Sequence, residues 1–365
     1  MLNYRNIKLI SLSIFSVCSL VSCTNNEDKH TYQAASIQGK TQGTTYTIIT
    51  DNEKITELQP KIDAILLDFD RCLSTYRDSS IVSLFSKAES GKYSYKDIQG
   101  YFQRCFSLTV EVYKISDGAL DPSVYPLVSA WGFMKNPALE MTKPQVDSVK
   151  NLIGFVEGVD YEYQSATSKG ERTTENFILT KLRPSLQLDF NATAQGLAVD
   201  LLCEFLDEQG FKNYYVEIGG ELRVKGKNKE GALWRIGIDV ADEKNAVDPN
   251  ERELTAVIAV QNSAVATSGS YRKFYEKNGV KRSHTIDPKT GYPVGHSLLS
   301  ATVVADNAAF ADAMATTFMV WGKDKSIDFV SKNRDLNLEI LLQFVDSKGK
   351  LMVYKSPGLS KMMLE

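Results

Sequence analysis

The chain has 365 residues, of which 43% are hydrophobic and 24% charged, ordinary usage for a folded soluble domain. That composition excludes a disordered chain, a collagen-like chain and a polytopic membrane protein. Lysine and arginine number 42 against 45 aspartate and glutamate, so there is no basic excess to release counterions from nucleic acid, and the three histidines are too few for a histidine-rich zinc site.

Residues 1–22 read as a secretory signal. Arg5 and Lys8 form its basic start, and 9–20 is an apolar stretch too short for a comfortable membrane span of about 20 residues. Leu20-Val21-Ser22-Cys23 follows the lipobox pattern of bacterial lipoproteins, which predicts cleavage before Cys23 and lipidation of its thiol. An ordinary signal peptide with a chance cysteine is the alternative. Several acyl chains anchor a protein stably, so the expected location is the bacterial cell envelope, lipid-anchored and facing the periplasm. Residues 23–36 read as a polar tether and 37–365 as one folded domain, with no linker dividing it. Cys72, Cys105 and Cys203 are odd in number, widely spaced and without a CxxC pair, which predicts small buried residues rather than a disulfide framework.

Within the domain, 45–50 has strand composition, and Leu58, Ile62, Ile65, Leu66 and Phe69 form a helical stripe over 55–72. A second helix is expected over 97–115, broken by Asp117-Gly118, with loop and short helix as far as Phe133. Two strands are expected in 175–190, around Arg183-Pro184. Ala194, Leu197, Ala198, Leu201, Leu202 and Phe205 predict a helix ended by Gly210. Strands follow at 214–218, 222–224, 234–240, 254–260 and 299–305, helices at 308–321 and 325–333, and a closing hairpin at 338–345 and 350–354. Helices and strands mix without strict βαβ alternation, which predicts an α+β fold.

Five polar stretches punctuate the apolar elements: 117–123 followed by Trp131-Gly132-Phe133, 189–196, 217–221, 267–271 with 283–291, and 311–316. Asp-Gly and Gly-Gly pairs are common turn signals, and Asp189 reads equally as a helix cap. Asp312 and Thr316 stand at i,i+4 on one helical face. A carboxylate and a hydroxyl are hard oxygen ligands that suit Mg²⁺, though a solvated helix face has the same spacing.

In their order, these motifs resemble the FAD:protein FMN transferases, the ApbE family of flavin transferases, over about residues 37–355. Gly43-Thr44-Thr45-Tyr46, Ser74-Thr75-Tyr76-Arg77 with Ser80-Ile81, Ala119-Leu120-Asp121 with Trp131-Gly132-Phe133, Thr267-Ser268-Gly269, and His284 with Asp287-Pro288 and Thr290-Gly291 carry the likeness. The resemblance implies an ApbE-like, T-fold-like unit with an FAD cleft. It also implies transfer of FMN from FAD to a threonine or serine of an exported protein through a phosphodiester bond, with Mg²⁺ and release of AMP. By that resemblance Asp312, Thr316 and the Ala192 carbonyl hold the metal. Gln42, Tyr76, Ala119, Leu120, Asp121, Asp189, Gln195 and the main chain near Ile286 line the FAD site, and His284 serves the chemistry. The implied partner is a flavin-accepting subunit of a membrane redox complex. Gln42 replaces the family's usual methionine. Gln195 replaces a common lysine, which removes a charge near phosphate unless Arg272 or Lys289 compensates.

The chemistry agrees. Cleavage of a pyrophosphate needs charge neutralisation and in-line positioning, and a threonine hydroxyl needs a base. Imidazole suits that role near neutral pH; His30 lies in the tether, so only His296 competes with His284. Asp287 is placed to orient the imidazole or help the metal, and Tyr76 and Trp131 to stack on a flavin or adenine ring if they are not core aromatics. A Mg²⁺-dependent FAD pyrophosphatase and a non-catalytic flavin-binding lipoprotein are the competing readings.

Overall fold

The computed structural model describes residues 33–97, 99–133, 140–168, 171–242, 252–270, 274–277 and 280–364, with backbone alone for 163–168, 171–176, 274–277 and 280–282. The signal segment, Cys23, His30 and Arg272 lie outside the described residues.

An eight-stranded sheet runs in the spatial order Ala35–Thr41, Thr44–Thr50, Tyr214–Ile218, Glu221–Lys225, Ser263–Gly269, Leu298–Ala305, Glu339–Val345, Leu351–Lys355. Every neighbouring pair is antiparallel. Side chains alternate across its faces, as the two-residue period of a strand requires. Ala264, Ala266, Val303 and Ile340 pack under two helices, Asn191–Glu208 and Ala308–Trp321. Val265, Val304 and Leu341 face the other way, against the hairpin Trp234–Asp239 and Leu254–Val260 and the short helix Pro357–Met362. The result is three layers with the sheet in the middle, an α+β architecture as expected.

A second sheet of three strands, Gly91–Lys96, Glu171–Lys181 and Val159–Ser168, lies apart from it in the strand pairing. Helices Ile55–Leu73, Ile81–Lys87 and Tyr101–Ile115 share with it an aromatic core in which Phe102, Phe106, Phe155, Phe177 and Phe190 are all buried. Ile55–Leu73 buries Leu58, Ile62, Leu66 and Phe69, the stripe read from the sequence. Lys181 ties the three-stranded sheet to the second of these helices. Its buried ammonium donates to the Phe85, Ser86 and Ala88 carbonyls at 3.0, 2.9 and 2.7 Å, at the C-terminal end of Ile81–Lys87.

Two expectations change. The tether does not run to residue 36, because Ala35–Thr41 already pairs with Thr44–Thr50 from Ala35 opposite Thr50. The turn between them is Gln42-Gly43, both left-handed at φ 50° and 74°. Of the two strands expected around Arg183-Pro184, only Glu171–Lys181 forms. Leu186, Leu188 and Phe190 are buried at alternate positions like a strand. Their segment instead ties Leu188 N–H to Ser86 Oγ at 3.1 Å and Asp189 N–H to the Pro122 carbonyl at 2.7 Å. The Leu188 and Asp189 amides are thus satisfied without a ladder. Cys105 and Cys203 are buried and Cys72 partly so, all three as free thiols.

Candidate active site

A cleft of 580 Å³ opens between the two parts of the fold. Its wall includes three chain segments: 119–121, just after helix Tyr101–Ile115; 189–193, where Asn191–Glu208 begins; and 284–286, after the strand Val280–Ser283. A second cavity of 280 Å³ contains Gln195, Ser268, Asp312 and Thr316. The two share Asn191, His284, Thr285 and Thr316. Tyr76, Ala119, Leu120, Asp121, Asp189, Ala192 and Ile286 therefore line the larger cavity, Gln195 and Asp312 the smaller, and His284 and Thr316 stand where they meet.

Asp312 is 5% exposed, which excludes the solvated helix face. Burial pushes its carboxyl up to about 7, and its one resolved partner is the Gly196 N–H at 3.2 Å from Oδ2. In a regular helix that same amide closes onto the Ala192 carbonyl. Gly196 makes this approach possible: a Cβ there would lie 2.6 Å from the Ala308 carbonyl carbon, 2.8 Å from Ala309 Cα, and closer still to the Ala308 oxygen. The two helices thus cross at backbone contact. One turn on from Asp312, Thr316 Oγ1 is 3.1 Å from Ser268 Oγ, on the strand Ser263–Gly269.

This donor set fits a hard divalent cation. A buried carboxylate with a single amide for a partner is poorly compensated, and a hydroxyl and a carbonyl stand near it on the same two helices. Among the described residues no cluster of three or more His, Cys, Asp or Glu exists that could hold a metal ion by those side chains alone.

Two further carboxyls line the larger cleft, and burial raises both. Asp121 accepts from Ser123 N–H at 2.7 Å and Ser123 Oγ–H at 2.6 Å. Asp189 accepts from Asn191 N–H at 2.8 Å, so it is a helix-end residue and a cleft residue at once. Gln195 gives its Nε2–H to the Ile218 carbonyl at 2.9 Å and lies against Gly219. The residue in the lysine position therefore braces the Gly219-Gly220 turn from the cavity wall.

Other expected residues sit elsewhere. Gln42 is at the hairpin tip and lines neither cavity. Lys289 pairs with Asp117 beside a separate depression, so it is not a spare cation for phosphate. Asp287 holds its own turn, accepting from Lys289 N–H at 2.9 Å, with its carbonyl taking Gly291 N–H at 2.8 Å, and is not among the residues lining either cavity. Trp131 is buried and donates to the Gly291 carbonyl at 2.8 Å, locking that turn from the core. The cleft aromatic of this motif is Phe133, whose ring stands edge-on to His284 at 6.4 Å. Tyr76, 83% exposed, lies at the rim. His296 accepts from Leu298 N–H at 3.3 Å and bonds the Met319 carbonyl at 2.9 Å, so it ties down the end of Ala308–Trp321.

The sequence reading missed the cleft floor. Thr109 and Thr193 are buried there with hydroxyls 3.1 Å apart, and Thr193 Oγ is 3.4 Å from Cys105 Sγ. Two hydroxyls on otherwise apolar helix faces were the available signal. Gly196 was another, since glycine inside a helical stripe costs about 1 kcal/mol and calls for a reason.

This is the arrangement of a two-compartment site: a large cleft with aromatic and small residues, opening onto an acidic and hydroxyl-bearing pocket under two crossed helices. Residues 42–342 match the ApbE family, and the chain belongs to it. A relative from Haemophilus influenzae, named FAD:protein FMN transferase, is 35% identical over 98% of this chain and 99% of its own length. One of the same name from Escherichia coli K12 is 30% identical over 91% of this chain and 90% of its own. The solved flavin transferase ApbE from Vibrio cholerae superposes with a TM-score of 0.75 at 29% identity, covering 90% of this chain and 99% of that one.

Proposed function

We propose that this chain transfers the FMN portion of FAD to a threonine or serine hydroxyl of a partner protein and releases AMP. The observation that carries the reading is the junction of the two cavities at His284 and Thr316: a nucleotide in the larger one would bring its reacting phosphate beside the imidazole and the Asp312 pocket. The acceptor oxygen forms a bond to the FMN-side phosphorus as the phosphoanhydride P–O bond breaks. AMP leaves with the bridging oxygen, and the hydroxyl proton passes to His284. The Ala192 carbonyl, Asp312 and Thr316 would hold Mg²⁺, which when bound neutralises phosphate charge. Ser268 orients the Thr316 hydroxyl, and Gly196 N–H orients the Asp312 carboxylate. Burial raises the Asp121 and Asp189 carboxyls, while hydrogen bonds from Ser123 and Asn191 oppose that shift and fix their orientation in the cleft. Ala119, Leu120 and Ile286 supply apolar wall, and Tyr76 at the rim is positioned to cover a bound ring.

The lipobox at Leu20–Cys23 supports anchoring at the envelope surface, where an exported, flavin-accepting subunit of a membrane redox complex would be met. Incubation with FAD and Mg²⁺, with and without an acceptor domain, tests the reading. AMP release only with acceptor, together with a fluorescent acceptor band on a denaturing gel, is expected. AMP without acceptor at the same rate indicates a pyrophosphatase, and FAD binding without AMP indicates a carrier.

A further inference from the structure

Asp200 lies one turn beyond Gly196 on the helix Asn191–Glu208, is 4% exposed, and lines neither cavity. Its Oδ1 accepts from Ala308 N–H at 3.0 Å and from Arg223 Nη1 at 2.9 Å, and its Oδ2 accepts from Ala309 N–H at 2.9 Å. Ala308 and Ala309 are the first two residues of the helix that carries Asp312 one turn later and Thr316 two turns later. That helix already has its own cap, Asn307, whose side chain accepts from Phe310 N–H at 2.8 Å. The grip of Asp200 on the two preceding amides is an additional bond, made from the neighbouring helix. Arg223, on the strand Glu221–Lys225, holds the carboxylate from the sheet side.

Two ties thus run between the same pair of helices, one turn apart on each. Asp200 reaches across to the start of Ala308–Trp321, and Asp312 reaches back to Gly196. Between them the carbonyl of Ala308 rests on Gly196 with no room for a methyl group. Rotation or sliding of one helix on the other would break the Asp200 bonds first, because a carboxylate bridging two consecutive amides tolerates little displacement. We propose that Asp200 is a positioning residue for the cation site: by fixing the advance and rotation of Ala308–Trp321 against Asn191–Glu208, it sets Asp312 and Thr316 opposite the Ala192 carbonyl. This inference rests on the metal reading above.

The competing role is plain stabilisation of the helix Asn191–Glu208 by an ion pair to the sheet. Asp207, about two turns further along the same helix, supplies the control. It accepts from Tyr214 Oη–H at 3.0 Å and from Lys225 Nζ at 2.8 Å, both on strands, with no resolved bond to the metal-bearing helix. The probe is Mn²⁺, titrated into the full mature chain and followed by loss of the free-ion spin-resonance signal, alongside AMP release as a function of Mg²⁺. Outer-shell partners of a metal site typically contribute a factor of about 10–100 in affinity. Asp200→Ala should weaken Mn²⁺ by about that factor. The Mg²⁺ midpoint for AMP release should rise in parallel, with the rate recovering at high Mg²⁺. Asp200→Asn has one acceptor oxygen for two amides and should lose roughly threefold or more. Asp207, whose side chain is 43% exposed, should on change to Asn lose little thermal stability, with Mn²⁺ affinity within about twofold of wild type. If Asp200→Ala does not fold, Asp200→Asn against Asp207→Asn decides. Wild-type Mn²⁺ affinity in either folded Asp200 variant overturns the inference. Wild-type affinity in Asp312→Ala overturns the metal reading instead, and this inference with it.

Discussion

Substituting Gly196 by alanine sets two effects of known size against each other. Alanine is the better helix former by about 1 kcal/mol, and Gly196 sits inside a helix, so propensity alone would stabilise the protein. Against this, the new Cβ would stand 2.6 Å from the Ala308 carbonyl carbon and 2.8 Å from Ala309 Cα, where relaxed carbon contacts are about 3.5–4.0 Å. All the atoms it meets are backbone, so no side chain can swing away. The helices must separate by about 1 Å, and overpacking of that kind costs about 1–3 kcal/mol. We expect a net loss of up to roughly 2 kcal/mol, measured by urea unfolding. The larger effect falls on the chemistry, because separation draws Asp312 away from Gly196 and Ala192. Misplacement by about 1 Å can cost about 10²-fold, so AMP release should fall by roughly that factor. Gly210→Ala is the control: its φ of 87° strains alanine, but nothing lies within 4 Å of its Cβ. It should lose comparable stability with AMP release unchanged. A Gly196→Ala protein about 1 kcal/mol more stable than wild type, or one that turns over at the wild-type rate, would refute the backbone-contact argument.

Three further outcomes follow from the site. Burial raises Asp312 from 3.8 to about 7, so proton binding stabilises the metal-free fold; that stability is present below the lower value and is lost as pH rises through the upper one. Metal-free wild type should lose up to ~4 kcal/mol over that window and Asp312→Asn should not, so parallel pH curves for the two would count against the assignment. His284→Ala should slow single-turnover transfer by about 10²–10⁴ with FAD affinity nearly unchanged. His296→Ala, which frees the Met319 carbonyl, should instead cost about 1–2 kcal/mol in unfolding with the chemical step intact. A wild-type rate in His284→Ala would remove the histidine from the chemistry. For the anchor, Cys23→Ala should move the protein from the membrane to the soluble fraction, and a wild-type chain lacking acyl mass on its N-terminal peptide would contradict lipidation.

Much of the fold is visible as period. Leu58 to Phe69 repeat at helical spacing, and the strands Leu254–Val260 and Trp234–Asp239 alternate cleanly because one face of each lies on the main sheet. The same rule misleads at Leu186, Leu188 and Phe190, since alternation records burial on one side and does not require a partner strand. It is silent at Ala35–Thr41, where Ile37 is the only large apolar side chain buried and pairing with the next strand does the ordering.

The site was legible where its residues are close along the chain and opaque where they meet across it. Asp312 and Thr316 announce a shared face because four residues make about one turn. Nothing in that spacing tells whether the face is wet or buried, and burial is what turns a surface carboxylate into one that calls for a cation. Burial comes from the second helix, more than a hundred residues earlier, through the Gly196 amide on Asp312 and the Asp200 carboxylate on Ala308 and Ala309. Each leaves a local trace: a glycine in mid-helix and a charge inside the apolar run from Leu197 to Leu202. Each trace marks a local cost, a weakened helix or a desolvated carboxylate, and a stable fold offsets such costs through contacts made elsewhere. The identity of the offsetting contact is long-range information. Here it is one crossing of two helices, and that crossing is also what sets Asp312 against the first turns of the helix Asn191–Glu208.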